Sequence, residues 1–152
     1  MSDKSGKMNS NMVWLFALGT ALLSVATGWA TSGLGTKVSA AVFFGVFALG
    51  GFLSSFLTDA GKGKAIGAMI FASVLTAIGY FIVIKMVISG ATGAAAAAAG
   101  GTAQAKVAAG AAMGAVGSLM GIFVAVLVLV ETLVAGIGGA VVGAKSKKKA
   151  LA

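Results

Sequence analysis

The amino-acid sequence points to an all-α, polytopic membrane protein. It describes a four-transmembrane-helix bundle with Gly/Ala packing seams and an Ala/Gly-rich extramembrane segment before helix 4. Three observations carry this reading. Of 152 residues, 59% are hydrophobic and 9% charged, with a mean hydropathy of +1.08. A soluble domain draws about a quarter of its residues from Asp, Glu, Lys and Arg. The apolar residues fall into runs of about 20, the length that crosses a bilayer as a helix. Finally, Gly, Ala, Ser and Thr recur at spacings of three and four, which places them on one face of a helix.

Helix 1 is expected over residues 12–30. Trp14 and Trp29 lie near its ends, about 22 Å apart at 1.5 Å per residue, as the two aromatic belts of a bilayer require. Ala17, Thr20, Ser24, Thr27 and Thr31 make a small, slightly polar stripe suited to helix–helix contact. A signal peptide fits less well, because the run is long and no small-residue cleavage pattern follows it. After the turn Thr31–Lys37, helix 2 is expected over residues 38–57. Ala41, Gly45 and Ala48 form its small face, and Phe43, Phe44, Phe47, Phe52 and Phe56 give it bulk elsewhere.

Thr58–Lys64 reads as a polar turn. Its Gly-Lys-Gly-Lys lacks the spacing and the strand–helix context of a phosphate-binding loop. Helix 3 follows over residues 65–88, with Ala65, Ala68, Ala72, Thr76 and Gly79 on its small face. Residues 90–112 are low in complexity: Ala favours helix there and Gly opposes it. A loop is expected, then an Ala-rich helix leading into helix 4; a flexible linker is the competing reading. Helix 4 is expected over residues 113–144 and a basic tail over 145–152. Gly110, Gly114, Gly117, Gly121, Ala125 and Gly139 lie on a face that lets another backbone approach closely.

All eleven basic residues are Lys, against three acidic residues. They sit between apolar runs and at the tail, which fits orientation charges better than a nucleic-acid footprint. With four spans, one side holds Lys4, Lys7, Lys62, Lys64, Lys145, Lys147, Lys148 and Lys149. The other holds Lys37, Lys85 and Lys106. Eight against three puts both termini in the cytoplasm. Lys145, Lys147, Lys148 and Lys149 also offer charge to anionic lipid.

The chain has no Cys and no His. That removes disulfides, thiolate chemistry, zinc sites and His-ligated haem or copper. No nucleophile–base pair or metal cluster stands out, so the sequence gives no reason to expect an enzyme, a cofactor or a metal. The one candidate for chemistry is Glu131, a carboxyl group inside an apolar helix. Three readings stay open: an ion pair with Lys85, a protonated Glu131 hydrogen-bonded to Thr76, Tyr80, Thr132 or a partner chain, and active proton or cation handling. Val130-Glu131-Thr132 and the stretch QAKVAA at Gln104–Ala109 resemble the rotor-ring proteolipids of V-type ATPases, short four-span proteins with an ion-binding Glu in the fourth helix. The resemblance implies an ion-translocating ring subunit with Glu131 as its site. Two features depart from that family: no polar cytosolic loop joins helices 3 and 4, and the lysine count places the termini in the cytoplasm. The expected function is therefore a small structural or accessory subunit. It would pack by its Gly/Ala faces against other integral membrane subunits or copies of itself. A ring or channel subunit and a holin-like pore former are the alternatives.

Overall fold

The computed structural model describes residues 11–31, 36–58 and 61–150. Lys4, Lys7 and most of the expected turn after helix 1 lie outside the described residues, as do positions 59 and 60 of the next turn. The architecture is all-helical: α1 (Met12–Thr31), α2 (Thr36–Leu57), α3 (Lys62–Ala98) and α4 (Ala103–Ala150). Each is long and apolar enough to cross a membrane. No strand occurs among the described residues.

The last two helices differ from the sequence expectation. α3 continues ten residues beyond position 88, and α4 starts ten residues before position 113. Gly90 and Gly93 do not break α3, because the alanines after them favour helix by up to about 1 kcal/mol each over Gly. The expected loop shrinks to the turn between Ala98 and Ala103. Gly101 makes that turn with a φ of +113°, a conformation that other residues rarely adopt. Thr102 then caps α4, its Oγ1 accepting from Ala105 N at 3.4 Å and its carbonyl from Lys106 N at 3.2 Å. α4 also runs through the expected tail to Ala150, with Lys147, Lys148 and Lys149 in its last turn. Cations there complement the helix dipole.

The chain forms two compact units. One comprises the residues up to Thr76 together with those from Val128 onward; the other is Ala77–Leu127. The first unit holds α1, α2, the start of α3 and the end of α4. Its interior is built from small residues: Ala17, Ala21, Ala65, Ala68, Ala72, Ala135 and Ala140 are buried, with Phe47, Met69 and Val13 the largest fully buried apolar side chains and Phe43 buried as well. Large apolar side chains point outward, with Leu15 and Leu22 each 65% exposed. This arrangement is inside out for water and appropriate for lipid. Hydrocarbon solvates Leu as well as a core does, so close contact between backbones must hold the helices together.

Among the described residues eight hydroxyl side chains are buried beside the alanines, six of them Thr20, Ser24, Ser54, Ser73, Thr76 and Thr132. Their hydroxyls return to carbonyls three or four residues back on their own helices, for example Ser24 Oγ to Thr20 O at 2.7 Å and Ser73 Oγ to Met69 O at 2.9 Å. They fill small-residue positions and satisfy themselves locally, without bridging helices.

The second unit is an antiparallel helical hairpin made by the end of α3 and the start of α4. Gly110 faces Ala96, Gly114 faces Thr92, Gly117 faces Ile88 and Gly121 faces Ile84. A Cβ built on Gly117 would come within 2.6 Å of Ile88 Cγ2.

Candidate functional site

The tightest feature of the first unit is the seam between α2 and α4. Gly139 and Gly143 form a G-x-x-x-G pair on α4, and Gly51 answers them from α2. A Cβ on Gly139 would collide with the Ala48 carbonyl, one on Gly143 with the Phe52 carbonyl, and one on Gly51 with the Gly136 carbonyl. Three backbone-on-backbone contacts of this kind require glycine. On α2 the small face expected from the sequence included Gly45 and Ala41. The face in use carries Phe47, Ala48 and Gly51, while Gly45 has nothing within 4 Å of its would-be Cβ and Ala41 is exposed.

One end of the seam is closed by charge. Lys147 Nζ donates to Thr58 O at 2.7 Å, just past the C-terminus of α2. A cation there lies at the negative end of the helix dipole. Lys145, Lys148 and Lys149 are exposed. The tail lysines therefore divide, with Lys147 tied to the fold and the other three facing out.

Comparison with protein-family models, curated proteins and solved structures finds no match. The candidate site rests on the geometry alone.

Glu131 is half-buried on α4, and among the described residues its carboxyl group has no hydrogen-bond or ion-pair partner. Lys85, weighed in one of the three readings as a partner for Glu131, makes its described contacts within the second unit. Lys85 is exposed, donates to Ser118 Oγ at 3.0 Å and lies 5.5 Å from the centroid of the Phe81 ring. The cause is hairpin register: the Gly101 turn sets Lys85 against Ser118, thirteen residues before Glu131 in α4. Thr76 and Thr132 are fully buried and engaged elsewhere. Thr76 Oγ1 donates to Ala72 O at 2.9 Å, and Thr132 Oγ1 to Val128 O at 2.7 Å and Leu129 O at 3.1 Å. Tyr80 is half-buried and belongs to the second unit, as does the half-buried Ala125.

Sequence reasoning missed Ser118 and Gly51. Ser118 gives no signal in a run of small residues. Gly51 follows Gly50, and two adjacent glycines inside a spanning segment mark contacts on two sides: Gly50 packs on Thr20 of α1 and Gly51 on α4. Among the described residues no group of three or more His, Cys, Asp or Glu is placed to hold a metal.

Proposed function

We propose that the protein is a small, non-catalytic integral-membrane subunit that packs against other membrane subunits or copies of itself, with both termini in the cytoplasm. One observation carries this reading. Gly45, Gly67 and Gly138 lie within spanning helices, yet nothing sits within 4 Å of where their side chains would be. The chain uses other glycines for its own seam and leaves these three open, along with Gly19 of α1 and Gly63, Gly90 and Gly93 of α3. Small residues on outer helix faces let a second helix approach closely within lipid. The cytoplasmic placement follows from the lysine bias.

Purification through a tag in a gentle detergent, read by native mass spectrometry, tests the proposal. Recovery of a defined set of membrane subunits, or of a closed multiple of this chain, supports it. A bare single chain under conditions that preserve known assemblies removes it.

A second reading is an ion- or proton-conducting subunit. Glu131 favours it: a half-buried carboxyl group on an apolar helix, with no described partner, is a functional candidate by default. Proton flux into vesicles holding the protein, abolished by Glu131→Gln, would support this reading; equal flux from both proteins would end it.

A further inference from the structure

Between α2 and α4 the outer side of the first unit carries an apolar groove of about 350 Å³. Phe44, Leu49 and Phe52 line it from α2, and Val134, Gly138 and Val142 from α4. Val134 and Val142 are 62% and 55% exposed, and Gly138 has open space where a side chain would project. Glu131 shares this side of α4. It precedes Val134 by three residues, Gly138 by seven and Val142 by eleven, the spacing of one helix face.

The depth of Glu131 matters. Lys147 holds the Thr58 carbonyl at the end of α2, and Glu131 lies about 24 Å back from Lys147 along α4. That distance falls inside a hydrocarbon layer of about 30 Å. A carboxylate at such a depth is costly unless a charge or a hydrogen bond answers it. Among the described residues of the chain none does.

The two features together describe an occupant. An apolar groove with an open glycine admits a closely packed helix, and the unanswered carboxyl group beyond Val134 calls for a cation on that helix. A second copy of this chain would have to offer Lys85, the described lysine furthest inside a helix. That ammonium already donates to Ser118 Oγ at 3.0 Å and lies 5.5 Å from the centroid of the Phe81 ring. We propose that this face of α2 and α4 docks a spanning helix of a different membrane protein, one whose apolar run contains a Lys or Arg that pairs with Glu131. The inference rests on the reading of the protein as a packing subunit and adds the chemistry of its partner.

The full-length protein is placed in phosphatidylcholine vesicles at neutral pH with a synthetic spanning peptide of Leu and Ala. The peptide carries Lys, Gln or Leu at one guest position in its apolar run, and energy transfer between labels reads association. The Lys peptide should bind about tenfold more tightly than the Leu peptide, the size of a polar contact between spanning helices. The Gln peptide should gain less. Glu131→Gln should bring the Lys and Leu peptides level, and Gly138→Phe, which fills the groove, should weaken all three. Equal binding of the Lys and Leu peptides to the unaltered protein overturns the proposal, as does a Lys preference that survives Glu131→Gln. A Gln peptide that matches the Lys peptide overturns the charge pairing, and undiminished binding to Gly138→Phe overturns the groove. Should Gly138→Phe fail to fold, Glu131→Gln decides alone. None of these outcomes bears on whether other subunits co-purify with the chain, so the subunit reading stands or falls separately.

Discussion

Gly139 of α4 rests against the carbonyl of Ala48 of α2, so closely that a Cβ on the glycine would overlap the oxygen. Its neighbour Gly138 has nothing within 4 Å of the same position. Adjacent residues of identical chemistry therefore face opposite demands. Gly139→Leu must push two backbones apart, and we expect a loss of about 3 kcal/mol or more. Gly138→Leu should leave the stability of the isolated chain within about 0.5 kcal/mol. Reversible unfolding in mixed micelles measures both, and equal losses would remove the seam from the account.

Lys147 supplies a second contrast. Its ammonium donates to Thr58 O at the end of α2, whereas Lys148 is exposed. Lys147→Met should lower stability by about 1 kcal/mol, and Lys148→Met should leave it unchanged in the same unfolding assay. Matching effects from the two would return Lys147 to a purely orienting role.

The hairpin of the second unit is set by glycine against isoleucine. A Cβ on Gly117 meets the side chain of Ile88, first the Cγ2 methyl on its branched carbon and then the end of its longer arm, rather than a backbone. Gly117→Ala should destabilise by about 1 kcal/mol, and Ile88→Val should recover part of that loss. A double-mutant cycle reads the coupling. A coupling near zero would mean that the two residues do not share the contact.

These contrasts also mark what the sequence alone makes legible. Spans, their number and the small-residue character of their faces follow from composition and period, because lipid leaves helices no other way to pack. Which small residues do the packing does not follow. Gly45 and Gly51 both lie on α2, but only the geometry shows which of their two faces is open and which is closed. Helix ends are hard to read where two weak signals compete: Gly90 and Gly93 argue for a loop, and the alanines from Ala94 on outweigh them. The Lys85 partner was out of reach for a different reason. Hairpin register is fixed by the turn at Gly101, and a shift of that turn by a few residues would have exchanged Ser118 for another residue.

Glu131 carries a prediction of opposite sign. A half-buried carboxyl group with no described partner burdens an apolar helix, so Glu131→Leu should stabilise the fold by about 3 kcal/mol, the lower end of the insertion difference between an acid and Leu at a helix centre. Unfolding in micelles measures it. A loss of stability would reveal a partner for the carboxyl group and redirect attention to its hydrogen bonds.

The central claim is that glycines left open on the outer faces receive another protein chain. Photo-crosslinking in native membranes tests it most directly, and the absence of Cys makes single-site labelling clean. Gly138→Cys and Leu22→Cys, each labelled with a benzophenone, compare an open glycine position with an exposed leucine on α1. The account predicts a discrete protein adduct from position 138 and lipid adducts from position 22. Lipid adducts alone from both positions would contradict it.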